Sequence, residues 1–322
     1  MISSDMTLPV PLKTAVLFLV FNRPESTAQV FDAIRKAKPP RLYVAADGPR
    51  DDCAGEPERV AKVREISTAV DWPCELKTLF RDKNLGCKHA VSGGISWFFE
   101  HEEQGIILED DCLPHPDFFP FCETLLDRYA NDDRVWVITG DNFQNGMQRG
   151  DASYYFSHYP HIWGWATWQR VWKNYDVNLT FWPKWKRSED WRKKFSDRVE
   201  RRYWEKVFDD MYEQKVDTWD YQVIASAWFN YGLTATPNVN LISNIGFGTN
   251  STHTSAKDSP FSNMAVHSLG EILHPSEIRQ NMDADRFDFD WQFGGRKMRF
   301  PYSLARAIKQ FIKYLLSFVK VL

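Results

Sequence analysis

The sequence predicts an α/β fold in which a mainly parallel sheet is flanked by helices. Apolar runs of strand length alternate with longer segments of helical periodicity, which is typical of βαβ units. The runs are continuously apolar, as in AVLFLVF, and this indicates strands that are buried on both faces. At 322 residues, the chain can hold one large α/β domain with an ample core.

The first half of the chain carries the clearest alternation. Proline marks several element boundaries: Pro24 suits a first helical turn, and Pro39 and Pro40 end that helix. The predicted strands are 14–21, 41–46, 74–80, 105–108 and 135–141, and the predicted helices are 24–38, 56–70, 87–102 and 116–130.

The second half has a less regular rhythm. It predicts a strand at 153–157, a long charged helix at 188–214, a further helix at 219–231, and two short strands with a glycine-rich loop within 234–254. The expected organisation is a loose tail (1–13), a compact domain (14–255, divided near 145), an irregular extension (256–302) and a terminal helix (303–322).

Composition narrows the class of protein. A net charge of −3 argues against wholesale nucleic-acid binding. The five cysteines are odd in number and lack zinc-site spacing, which indicates reduced thiols in a cytoplasmic protein. No apolar run approaches the ~20 residues of a membrane-spanning helix. The fourteen tryptophans suit sugar-binding platforms as well as cores.

The acidic run Glu109-Asp110-Asp111 follows the buried strand 105–108 and organises the candidate site. Three adjacent carboxylates at a strand end need a cationic partner, because burying them unpaired is costly. Mg²⁺ or Mn²⁺ is the simplest candidate for this cationic partner, since both prefer oxygen ligands. The alternative is an acidic loop that caps the next helix.

Polar residues also follow the first three strands. Asn22 and Arg23 are placed for a nucleotide, and Asp47 for the ring N–H of a uracil-type base. Arg81, Asn84 and Lys88 flank a helix start that favours phosphate. The alternatives are that Arg23 forms a surface ion pair, that Asp47 serves the turn, and that the segment at Asn84 is a plain helix cap. In a parallel sheet, all these positions share one edge, where ligands bind.

The segments FNRPES, LYVAADGPR, NLG and ILEDDCLPHPDFF together resemble the nucleotide-sugar-binding half of a GT-A glycosyltransferase. The resemblance is strongest to the N-acetylglucosaminyltransferase I type, in which E-D-D replaces D-x-D. It continues through VWVITGDN, GWATW and WDYQ and covers 14–254. It implies a GT-A fold and transfer from a nucleotide-diphospho-sugar, here UDP-linked. The absence of the N-terminal anchor of the Golgi members leaves the acceptor open.

The resemblance also implies roles for individual residues. Asp111 would coordinate Mn²⁺ that bridges the donor diphosphate, and Glu109 and Asp110 would serve the ribose, the sugar or metal-bound water. Asp220 in WDYQ matches the family's base, with a helix cap as the alternative. Asp141 is the second choice as base and otherwise contacts donor sugar or acceptor.

Aromatic and histidine residues complete the predicted site. His161, Trp163 and Trp165 match a loop beside donor and acceptor, and one tryptophan of this segment is expected in the cleft. Their alternative is the core. His253 corresponds to a late histidine that binds metal in many GT-A enzymes, with a structural histidine as the alternative.

The tail 303–322 predicts an amphipathic helix, and all seven charges of 291–322 are positive. This pattern favours an anionic membrane surface over a helix docked on the body. Together with the resemblance to GT-A glycosyltransferases, this implies an inverting glycosyltransferase, peripheral on the cytoplasmic face of the membrane, with a glycan or lipid-linked glycan acceptor. The alternatives are a sugar-nucleotide nucleotidyltransferase, although its glycine-rich loop is missing after the first strand, and a non-catalytic glycan-binding protein.

Overall fold

A computed structural model describes residues 12–247, 259–302 and 304, and these contain ten strands and eleven helices. The strands are β1 (Val16–Val20), β2 (Arg41–Ala46), β3 (Glu75–Phe80), β4 (Gln104–Glu109), β5 (Cys112–Pro114), β6 (Val135–Thr139), β7 (Tyr154–Ser157), β8 (Gly164–Trp168), β9 (Leu233–Pro237) and β10 (Ile242–Asn244). The helices are α1 (Pro24–Ala37), α2 (Glu56–Ser67), α3 (Gly86–Phe99), α4 (Phe118–Arg128), α5 (Gln169–Trp172), α6 (Trp182–Trp185), α7 (Glu189–Lys194), α8 (Arg198–Tyr212), α9 (Asp220–Phe229), α10 (Met282–Trp291) and α11 (Gly295–Met298).

Eight of these strands form one sheet in the order β3-β2-β1-β4-β8-β6-β9-β7. Strands β1 to β4 pair in parallel, as do β6 and β9. Strand β8 runs antiparallel to both β4 and β6, and β7 runs antiparallel to β9. The predicted α/β class, with a mainly parallel sheet flanked by helices, is confirmed. The sheet is continuous across the division expected near residue 145.

The central strands bury the apolar runs that predicted them. Every residue of β1 is buried, whereas β3 has no buried residue. Strand β3 pairs only with β2 and so forms an edge of the sheet. Its charged residues Glu75 and Lys77 are those that protect an edge strand from unwanted pairing.

The topology brings the strand ends to one place. Strands β1, β2 and β4 are parallel neighbours, so their carboxyl ends lie together. Because β8 is antiparallel to β4, Gly164 at its start pairs with Leu108 near the end of β4. The amide of Gly140, which follows β6, donates to the carbonyl of Gly164 at 2.8 Å. Asp141 therefore reaches the same edge as the acidic run.

A second core lies outside the sheet and is dominated by aromatic rings. It contains five of the fourteen tryptophans, which pack largely edge to face, as Trp182 and Trp191 do at 4.8 Å and 84°. These five are Trp182, Trp185, Trp191, Trp204 and Trp228. Much of the tryptophan content therefore serves packing.

The single helix predicted at 188–214 is wrong, because the segment forms two helices. Phe195 is extended and buried, and it separates α7 from α8. Asp197 begins α8 as its N-cap, since its carboxylate accepts from the amide of Val199 at 2.8 Å. The helical periodicity continues across this break and hides it.

The extension predicted as irregular contains α10, which belongs to the body. Asn281 caps this helix by accepting from the amide of Ala284 at 3.0 Å. Phe289 is buried in the second core, and Gln144 Nε2 donates to Asp288 Oδ1 at 2.5 Å. Packing against the body stabilises a helix whose own hydrophobic pattern is weak.

The predicted tail helix at 303–322 lies outside the described residues, apart from Leu304, which is exposed. Among the helices that the structure does describe, none has the length and apolar character needed to cross a membrane.

Candidate active site

A cavity of about 410 Å³ opens at the carboxyl edge of the sheet. This volume lies within the usual range of small-molecule sites, about 300–1,000 Å³. Its walls come from the ends of β1, β2 and β4, the start of β8 and the segment before α9. The predicted site residues that line it are Arg23, Asp47, Arg81, Asn84, Glu109, Asp110, Asp111, Trp163 and Asp220.

The acidic end of β4 is paired with Arg23. Arg23 Nη1 forms an ion pair with Asp111 Oδ2 and lies 3.5 Å from Asp110 Oδ1. The amide of Phe21 donates to Asp110 Oδ2 at 2.9 Å. The cation expected beside these carboxylates is therefore supplied in part by the chain itself.

One guanidinium does not compensate three carboxylates. Burial and the nearby Asp111 and Asp110 carboxylates raise the pKa of Glu109 well above its usual range. Burial raises the pKa of Asp110 to about 7, although Arg23 acts in the opposite direction. This excess of negative charge is what a bound cation would relieve.

Asp111 lies against a loop that contains Gly246. A Cβ atom on Gly246 would lie 2.1 Å from Asp111 Oδ2, so only glycine lets this loop close on the carboxylate. In the described ranges, no three His, Cys, Asp or Glu side chains converge as a ligand set, and His253 lies outside those ranges. The carboxylate oxygens of the acidic run are of the ligand type that Mg²⁺ and Mn²⁺ prefer.

Asp47 and Asn84 join two loops at the cavity wall. Asp47 accepts from the amides of Gly48 at 3.0 Å and Leu85 at 3.0 Å, and burial raises its pKa. Asn84 donates to the carbonyl of Gly48 at 2.9 Å and accepts from the amide of Gly86 at 3.2 Å. Both side chains line the cavity, but backbone groups already take several of their hydrogen bonds.

A carboxylate of the chain occupies the position predicted for a phosphate. The amides of Cys87 and Lys88, at the start of α3, each donate to Asp217 at 2.9 Å. The Lys88 side chain is buried and lies outside the cavity lining, with Nζ 3.3 Å from Asn178 Oδ1. Lys88 is thus corrected to a buried structural residue. Arg81 does line the cavity, and burial lowers its pKa.

Asn22 also lies outside the cavity lining, and its side chain is bonded to Glu56. Its Nδ2 donates to Glu56 Oε1 at 2.7 Å, and Arg50 Nη2 donates to the same oxygen at 2.6 Å. The hydrogen bond from Arg50 lowers the pKa of Glu56 to about 2. Arg50 itself lines the cavity, 5.7 Å from the ring of Phe21. Sequence reasoning missed Arg50, although it closes the turn DGPR directly after β2.

Asp220 is the first residue of α9 and lines two neighbouring pockets. Its Oδ1 accepts from Thr218 Oγ1 at 2.5 Å and from the amide of Tyr221 at 2.8 Å. The N-cap position of α9 is Trp219, so Asp220 is not the N-cap residue. Asp220 lines both the main cavity and an adjoining recess of about 80 Å³.

Asp141 lines this recess and does not line the main cavity. Asp141 is buried, its Oδ2 accepts from the amide of Trp163 at 3.0 Å, and burial raises its pKa to about 7. The remaining walls come from the 160–163 segment, the start of α9 and residues beyond α10, with Phe143, His161, Gln292 and Phe293 among the lining side chains.

The two predicted tryptophans have different environments. Trp163 lines both the cavity and the recess, and its ring packs edge to face on Phe143 at 5.2 Å. Trp165 is corrected to a core residue: it is 1% exposed and stacks on Trp219 at 5.9 Å. Trp165 lies within β8 and packs in the main core, whereas Trp163 precedes the strand and is only partly buried.

The recess depends on α10, which sequence reasoning missed. His161 Nε2 lies 3.3 Å from Asp288 Oδ2, so a buried contact fixes the 160–163 segment against this helix. The available signal was Asn281 followed by Asp283 and Asp285, a pattern typical of a helix start.

No protein-family model and no curated protein sequence matches the chain. Solved structures resemble it remotely. A mannosyltransferase from Pyrobaculum calidifontis, solved with GDP-Man and Mn²⁺, is 11% identical, with a TM-score of 0.37 over 69% of this chain and 73% of its own.

Two further solved structures show a similarly low degree of similarity to this chain. The glycosyltransferase GlyE from Streptococcus pneumoniae TIGR4 is 11% identical, with a TM-score of 0.33 over 70% of this chain and 45% of its own. A UDP-glucose pyrophosphorylase complexed with UDP-glucose is 12% identical, with a TM-score of 0.26 over 45% of this chain and 62% of its own. At these values, the likeness carries no conclusion about activity.

Proposed function

We propose that the chain is an inverting glycosyltransferase that uses a nucleotide-diphospho-sugar, UDP-linked, as donor. The supporting observation is a single cavity that contains the acidic end of β4, paired with Arg23, and also Asp220. The acidic end of β4 with Arg23 is suited to a diphosphate complex, and Asp220 is suited to proton removal. Glycosyl transfer needs both within reach of one anomeric carbon.

The donor lies along the ends of β1, β2 and β4. Asp47, Arg81 and Asn84 form the wall that receives the nucleotide, with Asp47 the acceptor for a ring N–H. Arg23 and Arg50 supply guanidinium groups for the diphosphate, and such charge-assisted hydrogen bonds are the strong ones. Both arginines are held by carboxylates, which fixes their positions.

Asp111 would hold a Mn²⁺ or Mg²⁺ ion together with the donor diphosphate, and Glu109 and Asp110 would serve the ribose, the sugar or metal-bound water. When bound, such an ion acts as a Lewis acid for the negative charge of the leaving group. His253 would add a further ligand to this ion.

Asp220 takes the proton of the acceptor hydroxyl. Thr218 and Tyr221 both bond to its Oδ1, which sets the orientation of the carboxylate. The recess side of Asp220 is where the acceptor enters, with Trp163 as an aromatic platform. A base on this side leaves the opposite face of the sugar to the departing diphosphate, as inversion requires.

The acceptor is a glycan or lipid-linked glycan at the cytoplasmic face of a membrane. The support is the cationic, amphipathic composition of 303–322, which suits an anionic lipid surface. A peripheral enzyme held there would meet a lipid-linked acceptor at its headgroup.

A thermal-shift screen of nucleotides and nucleotide-sugars, with Mn²⁺ or with EDTA, tests the proposal. A ligand at about 100 times its Kd stabilises the folded state by roughly 2.7 kcal/mol. We expect UDP-linked donors to raise Tm with Mn²⁺ only, and Asp111→Asn to abolish this rise. Asp133→Asn is the matched control, because the Asp133 side chain is 97% exposed.

Each other outcome has a defined meaning. If no nucleotide-sugar raises Tm, the proposed function is wrong. A rise that persists in EDTA removes the metal from the proposal and leaves the nucleotide. Pyrophosphate-dependent formation of UTP from the donor would instead favour a nucleotidyltransferase.

A further inference from the structure

We propose that the recess between α9 and α10 binds one hydroxyl-bearing substituent of the acceptor sugar, and that Gln292 selects it by accepting its hydrogen bond. This inference rests on the proposed function, because it assigns the acceptor subsite of the same reaction. It adds a specificity-determining residue from a part of the chain that no sequence motif singled out.

Gln292 lines the recess and carries an unsatisfied side-chain oxygen. Its Oε1 is shielded from solvent, and none of the described residues donates a hydrogen bond to it. The same residue lines the recess. A buried acceptor without a partner costs about 1–3 kcal/mol, so such a group is expected to serve a ligand or a water molecule.

The size of the recess limits what it can hold. Its volume of about 80 Å³ exceeds the space needed for a single water. It is far below the roughly 300 Å³ at which whole small-molecule sites begin. The recess therefore suits one substituent, such as a hydroxymethyl group, while the sugar ring stays outside.

The walls match the two parts of such a substituent. Phe143 and Trp163 form an apolar corner, with ring centroids 5.2 Å apart at 79°, against which a methylene group can pack. Gln292 Oε1 accepts from the hydroxyl, and the buried Asp141 carboxyl supplies a second polar partner. Asp220 also lines the recess, which places the bound sugar beside the proposed base.

Gln292 is held in place by the helix it ends. Its amide donates to the carbonyl of Asp288 at 2.8 Å. The Asp288 carboxylate in turn accepts from Gln144 at 2.5 Å and lies 3.3 Å from His161 Nε2. Gln292 therefore has a fixed position relative to the wall that contains His161, and a fixed position is what selection of a single hydroxyl requires.

The test uses Gln292→Met, which keeps side-chain length and removes the acceptor oxygen. The probes are methyl glucoside and methyl galactoside, each paired with its 6-deoxy analogue, and binding is measured by saturation-transfer NMR with UDP and Mn²⁺ present. We expect the wild-type protein to prefer one parent glycoside over its analogue by about tenfold, which corresponds to ~1.4 kcal/mol. Gln292→Met should lose that preference.

Gln148→Met is the matched control, since Gln148 is exposed and does not line the recess. It should keep the wild-type preference. The Tm of Gln292→Met should equal or exceed that of the wild type, because an unsatisfied buried oxygen is removed. A drop in Tm would show that Oε1 has an internal partner and would overturn the inference.

Two further results would also overturn it: no glycoside of the panel binds, or Gln292→Met discriminates as the wild type does. Failure of the proposed function gives a different signal. In that case, UDP with Mn²⁺ does not bind the wild-type protein, whatever the glycosides do.

Discussion

Arg23 holds the acidic end of β4 together through its contacts with Asp110 and Asp111. It pairs with Asp111 and approaches Asp110 to 3.5 Å, in a region where burial penalises every charge. Removing one partner of a buried ion pair leaves an uncompensated charge and is strongly destabilising. Substitution of Arg23 would therefore mix a loss of stability with a loss of binding, and Asp220, which is not part of this pair, is the better residue for mutation.

Asp220→Asn is expected to retain donor affinity and to lose turnover. A general base acts in the transition state, and its removal typically lowers kcat by about 10²–10⁴-fold. Nucleotide release in the presence of acceptor measures turnover, and a Tm titration with UDP measures affinity. Normal turnover with a stability loss of ~1 kcal/mol would instead assign Asp220 to a purely structural role at the helix start.

Trp163 and Trp165 are expected to respond differently to ligand. Trp163 lines the cavity and the recess, whereas Trp165 is 1% exposed in the core. Trp163→Phe should remove most of the change in intrinsic fluorescence on adding UDP and Mn²⁺, and Trp165→Phe should preserve it. The opposite pattern would show that Trp163 is not at the ligand.

At the scale of elements, helix α10 brings a buried carboxylate, Asp285, into contact with the rest of the body. Asp285 accepts from Ser157 Oγ at 2.6 Å and from Gln280 Nε2 at 2.6 Å. Burial raises the pKa of Asp285 from 3.8 to about 7. The protonated form is therefore favoured in the folded state, and ionisation near neutral pH works against the docking of this helix.

This shift predicts a pH dependence of stability. The contribution of Asp285 is fully present below its ordinary pKa of 3.8 and is lost as pH rises through about 7. Between these values, the free energy of unfolding should fall by up to ~1.4 kcal/mol per pH unit from this group. Asp285→Asn cannot titrate and should show a flatter profile.

Urea unfolding at several pH values from 4 to 8 measures this difference. Asp283→Asn is the matched control, because Asp283 lies in the first turn of the same helix and is exposed. It should reproduce the wild-type profile. Parallel profiles for wild type and Asp285→Asn would contradict the shifted pKa.

At the scale of the whole molecule, two packed regions enclose the site. The sheet supplies the edge proposed to bind the donor, and the tryptophan-rich helical core supports α9 and α10, which bound the recess. Charge is divided along the chain as well: residues 291–322 carry seven positive charges and no negative ones. This distribution of charge supports the proposed attachment to an anionic membrane surface.

Deleting residues 303–322 is expected to abolish sedimentation with anionic liposomes and to leave Tm and UDP binding nearly unchanged. Each Lys or Arg near an anionic surface contributes about 1 kcal/mol, and salt screens this attraction. Changing Lys309, Lys313 and Lys320 to Gln should weaken binding and reduce its salt dependence. A large drop in Tm with no liposome binding by the full-length protein would assign the segment to the fold.

The sequence by itself determined the α/β class and most of the sheet. Continuous apolar runs predicted β1, β2, β4 and β6, because strands buried on both faces tolerate few polar residues. The sequence also predicted several residues that meet at the carboxyl edge, because neighbouring parallel strands bring their carboxyl ends together. Glu109 to Asp111, Arg23 and Asp47 were found in this way.

Only the tertiary structure decided the contacts between distant segments. Asp217 reaches the start of α3 across 130 residues, and Asp288 reaches His161 across 127. Local patterns carry no information about such pairings, because they depend on how whole elements pack. For the same reason, Asn22, Lys88 and Trp165 were predicted at the site and lie outside its lining, whereas Arg50 and Gln292 were missed. Strand periodicity places a residue at an edge, and packing decides whether its side chain faces the cavity.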